Sequence, residues 1–218
     1  EIYNCSKMTS IGQLPSLQTI EARTFYGCSG LTSVTIPASV TSIDYQALAY
    51  CSSLSSIRFE DSEEPLSMYS YYNSDATFFE SNADKRVYIG RDLNYSNSNG
   101  YLVQNATSVT FGDKVTAIND YLFNDVAPKL SSVKIGSGVK SIGTYAFCNA
   151  GTDESVSETS VTMGSSVTEI KPYAFHGCTK IKSVSLPSTL QTIGDYAFYN
   201  CSKMTTIGQP TSLNTIGN

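Results

Sequence analysis

The sequence has no tryptophan, a single histidine (His176), and little charge, with only 15% of its residues Asp, Glu, Lys or Arg. Its 14 basic residues form no run and the net charge is -5, so the clustered basic footprint that nucleic acid demands is missing. No apolar stretch approaches bilayer-spanning length, which argues against membrane insertion. No leader is recognisable, so an exported form would have lost it. The motifs of catalysis are missing too: there is no G-x-S-x-G, no H-E-x-x-H and no phosphate-cradling glycine loop. No C-x-x-C spacing marks a zinc site. These absences predict no catalytic residue, no metal site and no cofactor.

What is present is a repeat of about 23 residues. Leu31 to Ser53 reads LTSVTIPASVTSIDYQALAYCSS, and Ile181 to Lys203 reads IKSVSLPSTLQTIGDYAFYNCSK. Coil starts fall at Met8, Leu31, Leu54, Asp84, Ala106, Leu130, Glu158, Ile181 and Met204. Within a coil, Leu31, Val34 and Ile36 repeat the pattern of Ile181, Val184 and Leu186, and the V-x-I step is a period-2 strand signal. Pro37 and Pro187 end that strand, since proline offers no N–H to a ladder. The following A-F-x-x-C segment (Ala197, Phe198, Cys201) spans about one helical turn. A unit of this size cannot bury its apolar face alone, so the pattern predicts one elongated domain over residues 1–218, a solenoid of stacked coils. Both ends of the sequence fall inside a repeat, which predicts a longer array.

Two coils carry insertions, near residues 60–77 and 148–157. Per-repeat insertions often mark binding faces. The first is EDSEEPLSMYSYYNSDAT, with an acidic run (Glu60, Asp61, Glu63, Glu64) followed by tyrosines. The run reads as a solvated loop rather than a calcium site, because hard cations need six or more converging oxygens. Five of the six cysteines (Cys5, Cys28, Cys51, Cys178, Cys201) share one coil position and Cys148 is displaced by two residues. Stacked side chains point in parallel, so the expectation is buried free thiols rather than disulfides. Gly143, Gly177 and Gly194 fall at coil turns, where positive φ is useful.

The residues I-G-x-Y-A-F-x-x-C and S-V-x-L-P-x-x-L, best kept at Ser141–Phe147, Glu169–Cys178 and Thr192–Cys201, resemble the BspA-type (Treponema-type) leucine-rich repeats of bacterial surface proteins. VYIGRDLNY (Val87 to Tyr95) resembles the degenerate coil that interrupts such arrays. The resemblance implies a leucine-rich-repeat solenoid, a right-handed superhelix with a parallel sheet of short strands on one face and bends or short helical turns on the other. It also implies a non-catalytic binding module at the cell surface or outside the cell, adhesin-like, with an extracellular protein or a glycan as partner. A structural spacer carrying another domain is the alternative.

Two surfaces are candidates for that partner. The residues alternating with the buried ones on the strands are mostly Ser and Thr, and Arg58, Arg86, Tyr88 and Lys134 depart from that pattern. The long loop adds Tyr69, Tyr71 and Tyr72 among Ser and Asn, a composition suited to recognition. The expectation is that the loop and the Arg58/Arg86/Tyr88 patch form one distinctive site.

Overall fold

The computed structural model describes residues 2–12, 14–69, 78–79, 81–95 and 102–218. Every strand in it is parallel to its neighbours. The main sheet has eight strands in chain order: Ser33–Ile36, Ser56–Phe59, Lys85–Ile89, Ala106–Phe111, Ser132–Lys134, Thr159–Thr162, Ile181–Ser185 and Thr206–Ile207. Ser10 of the first coil joins through a single bridge to Ser33. The alternation in the sequence is realised directly: Val34, Ile57, Val87, Val109 and Val133 stack inward in register, and the residues between them face out.

The bend after each main strand carries a second, shorter ladder, which sequence patterning did not resolve because its strands are two or three residues long. It falls into two pieces. Thr19–Ile20, Ser42–Ile43, Leu66–Met68 and Leu93–Tyr95 form the first, and Ala117–Ile118 to Thr215–Ile216 the second. Between Leu93 and Ala117 side chains replace the ladder. Asp92 Oδ1 accepts the N–H groups of Thr116 at 2.7 Å and Ala117 at 3.2 Å, and Asn119 Nδ2 donates to Leu93 O at 2.8 Å. Backbone groups in this bend are thereby paired without a strand.

On the third side the A-F-x-x-C segment is a run of tight turns, and the described residues contain no helix. The reason lies in the backbone. Two residues per coil, such as Tyr145 and Asn149, hold φ of 54°, which an α-helix excludes. Alternate N–H groups then reach the next coil: Phe123 to Ala146 O, Phe147 to Ala174 O and Phe175 to Ala197 O, all at 2.8 Å. Bonds between coils outcompete bonds within the turn. A tyrosine at positive φ is strained, and ring stacking offsets the cost: Tyr145 and Tyr173 lie 4.6 Å apart and 6° from parallel, with Tyr121 and Tyr196 extending the column. Phe123, Phe147, Phe175 and Phe198 stack the same way inside the core, at 5.1 to 5.6 Å.

All six cysteines are free. The thiols of Cys51, Cys178 and Cys201 donate to the carbonyls of Phe25, Phe147 and Phe175 at 3.2, 3.0 and 3.2 Å. Gly177 has the expected positive φ, but Gly143 and Gly194 do not. Close approach explains those two, since a Cβ would fall 2.5 Å from Asn119 C and 2.4 Å from Pro172 N.

Two coil starts shift by one residue, because the strands there carry a register irregularity. The inward slot at the head of the fourth coil holds Lys85 rather than Asp84, and that of the seventh holds Thr159 rather than Glu158. Lys85 is fully buried, and its ammonium donates to the carbonyls of Ser81 and Ala83 at 2.8 Å and of Gln104 at 3.1 Å. Burial pushes its pKa down to about 8. At the far end of the same strand Arg91 is also fully buried. Its guanidinium donates to Glu60 O at 3.2 Å, Ala38 O at 3.3 Å, Val40 O at 2.7 Å and Pro37 O. The degenerate coil is thus held by two buried cations capped by backbone carbonyls.

Candidate recognition surface

Arg58 and Tyr88 are direct register partners on adjacent strands of the main sheet, which places both on its exposed face. The Arg58 guanidinium lies over the Tyr88 ring, 3.9 Å from its centroid. Asp61, three residues beyond Arg58, ties the pair together: it accepts from Arg58 Nη2 at 3.3 Å and from the Tyr88 hydroxyl at 2.7 Å. Burial, and next the bond to Asp61, raise the tyrosine pKa, so the phenol keeps its proton as donor. The result is a ridge on a sheet otherwise faced mainly with hydroxyls.

A groove lies on either side. The one toward the first coil, about 470 Å³, is walled by Ile11, Leu14, Pro15 and Pro37, with Arg58 and Glu60 at its ridge side. The other, about 420 Å³, runs from Asp61 and Tyr88 over Gly112 and Gly136 to Lys114 and Lys134. A Cβ on Gly112 would come 2.5 Å from the Tyr88 hydroxyl and 2.7 Å from Asp61 Oδ1. Gly112→Ala is therefore expected to push the ridge aside and fill the second groove. Because flexible side-chain ends absorb the clash, the loss of stability should stay near 1 kcal/mol. A urea titration alongside a binding assay would show whether binding falls while the fold holds.

The acidic run is used rather than merely solvated. Glu60 Oε2 accepts the Ala38 N–H at 3.0 Å, Asp61 builds the ridge, and Glu63 pairs with Lys114. The bond to Glu63 raises the Lys114 pKa. Asp113 is held below the usual carboxylate range by the backbone N–H of Ser137, with its hydroxyl adding to the effect. The sequence placed Asp61 in a solvated acidic run and not among the binding residues; its position three residues after Arg58, past the end of the strand, is the signal that could have paired them.

Arg86 and Lys134 share the exposed face with the ridge. Arg86 stands between Ser56 and Ser108 in register, and Lys134 is two strands from Tyr88 in the same row, beyond Thr110. Both are exposed, and neither makes a hydrogen bond or ion pair among the described residues. Tyr69 lies elsewhere. It follows Leu66–Met68 in the second ladder, its N–H bonds to Ile43 O at 3.0 Å, and it is 59% exposed. The strand Leu66–Met68 occupies the middle of the first insertion, and Tyr71 and Tyr72 lie outside the described residues. The second insertion is packed down: Val156 is buried, Asp153 N bonds to Pro128 O, and Lys180 meets Glu154 at 3.5 Å.

His176 has a partner that its sequence neighbourhood does not reveal. Cys148 Sγ is 3.7 Å from Nδ1, and the ring stacks on Tyr199 at 5.5 Å. Burial pushes the Cys148 thiol up to about 11, so the pair offers no thiolate at neutral pH. Among the described residues no group of three His, Cys, Asp or Glu is placed to hold a metal ion, and no helix is long and apolar enough to cross a membrane.

The BspA type leucine rich repeat region matches the chain in six copies, over residues 2–82, 74–154 and 152–218. Solved structures match the chain at low identity and low TM-score. A leucine-rich repeat protein from Bacteroides ovatus is 19% identical with a TM-score of 0.39, covering 99% of this chain and 70% of its own. The pneumococcal vaccine antigen PcpA is 20% identical with a TM-score of 0.43, covering 93% of this chain and 54% of its own. A leucine rich cell surface protein from Faecalibacterium prausnitzii is 19% identical with a TM-score of 0.35, covering 99% and 74%. No curated protein matches the sequence.

Proposed function

The chain belongs to the BspA-type leucine-rich repeat family, and from that premise we propose that it is a non-catalytic recognition module, adhesin-like, which holds an extracellular protein against its main sheet at a bacterial cell surface or outside the cell. The observation that carries this reading is the Arg58–Tyr88–Asp61 ridge. A scaffold has no need to lay an arginine over a tyrosine face on a sheet whose other exposed positions are mainly Ser and Thr. Aromatic rings and arginines are the side chains that dominate binding hot spots. Grooves on both sides give a partner somewhere to insert side chains. Tyr69, on the second ladder, is proposed as a further contact, and Tyr71 and Tyr72 are proposed with it from the loop's composition.

The test is capture of matrix and serum proteins on the immobilised domain. The double variant Arg58→Ala/Tyr88→Ala should lose at least tenfold in affinity, while Thr162→Ala/Ser185→Ala, on the same face but far along the sheet, should lose under twofold. Replacing Tyr69, Tyr71 and Tyr72 by Ser reads the second contact independently. Undiminished capture in every variant would remove this surface from recognition and favour a spacer role.

A further inference from the structure

Resting on that reading, we infer that the partner presents an extended acidic segment carrying an apolar side chain, and that Arg86 and Lys134 are the residues that read its charge. The ridge itself cannot do so. Arg58 is neutralised by Asp61 and covered on one side by the Tyr88 ring, and Lys114 is neutralised by Glu63. Arg86 and Lys134 are the exposed cations near the ridge that make no ion pair among the described residues; Lys182 is a third, far along the same sheet. They stand two strands and one side-chain repeat apart, about 12 Å between Cα atoms from strand spacing and rise. Three to four residues of extended chain cover that distance, at about 3.3 Å each.

The two grooves divide the work. Ile11, Leu14, Pro15 and Pro37 give one groove an apolar wall that suits a hydrophobic side chain. The other lies beside Lys134, with Gly112, Gly136 and Thr110 in its lining. A segment crossing the ridge from the first groove to Lys134 spans four strand spacings, about 19 Å, and would place an apolar residue and an acidic one about six residues apart. A polysaccharide fits less well. Sugar rings bind by stacking on an aromatic face, and the ring on this surface, Tyr88, has the Arg58 guanidinium over it at 3.9 Å. The apolar wall would also find no partner on a sulfated chain.

A random 12-residue peptide library displayed on phage, panned against the whole chain, tests this. Recovered peptides should be enriched in Asp or Glu spaced about six residues from a large apolar residue. Panning on Arg86→Ala/Lys134→Ala should abolish the acidic enrichment, and the best peptide should bind that variant at least tenfold more weakly by fluorescence anisotropy. Its affinity for the unaltered chain should fall as salt is raised. Lys140→Ala, in the bend outside the main strands, should bind as the parent does. Enrichment without acidic residues, or acidic enrichment that survives the double variant, would overturn the inference yet leave the ridge as a recognition site if Arg58→Ala/Tyr88→Ala still weakens the peptides. Sulfated oligosaccharides bound on a glycan array while the library yields nothing would overturn the peptide partner. Peptides indifferent to the ridge and to both cations would defeat the inference and the underlying reading together.

Discussion

Replacing Arg91 by leucine should lower the stability of the domain by about 4 kcal/mol, with lysine restoring less than half of the loss. The carbonyls of Ala38, Val40 and Glu60 each face the guanidinium, which also reaches Pro37 O across an entire intervening coil. Leucine fills part of the volume but takes the donor from the Ala38, Val40 and Glu60 carbonyls, at roughly 1–3 kcal/mol for each that water does not reach, while Pro37 O keeps the Val40 N–H at 3.1 Å. Lysine keeps the charge yet has three donors on one atom, which cannot reach four carbonyls spread over a planar fork. Burial lowers the arginine pKa, and the carbonyls stand in for the water the guanidinium has lost. Urea midpoints of the three proteins measure the effect, and amide exchange should show the loosening concentrated at residues 37–41. A loss below about 1 kcal/mol would mean that water reaches the carbonyls and that the staple is dispensable.

Stability should pass through a maximum near pH 9 and then fall steeply, because the core thiols cannot ionise in place. Burial raises Cys51 from 9.0 to about 12 and Cys148 and Cys201 to about 11, and it lifts Cys178 well above its ordinary value. For an acid raised by folding, the native state holds protons that the unfolded chain has lost. Its contribution is complete below pH 9 and disappears as the pH climbs through the folded values. Each thiol adds a slope approaching about 1.4 kcal/mol per pH unit in that window. Lys85 acts in the opposite sense. Its amine is lowered from 10.5 to about 8, so between those values the unfolded chain binds the extra proton and stability rises with pH. From about pH 8 to 9 the lysine acts alone, and above 9 the thiols outnumber it. Urea unfolding from pH 7 to 11 reads the profile. Cys51→Ala/Cys178→Ala should flatten the alkaline limb, and an unchanged limb would show that the thiols are not its cause.

Much of this molecule is legible in its sequence, and particular residues show why. Val34, Val109 and Val184 reveal the main sheet because a strand side chain repeats every two residues and one face is wet. The cysteine column was readable as buried free thiols because five cysteines share one coil position. Lys85 and Arg91 were not readable as core, since a charged residue defaults to the surface until carbonyls converge on it from elsewhere in the chain. Of the bends or short helical turns expected on the third face, the structure has the bends, and the choice was not readable for a similar reason: Tyr145 and Asn149 take left-handed backbone where the next coil offers Pro172 O and His176 O.

The same division holds at the recognition surface. Arg58, Arg86, Tyr88 and Lys134 could be placed on one face by counting alternate residues, since register within a repeat array is set by local pattern. That Asp61 would tie the arginine to the tyrosine could not be read that way, because its bond to the Tyr88 hydroxyl spans 27 positions of chain. By itself the sequence determined the coil, its period, its inward residues and the family, all of which follow from short-range periodicity. Only the stacking of coils decided which charges are buried, which are paired and which stay free to meet a partner, because those outcomes depend on atoms that approach one another only when the repeats are assembled.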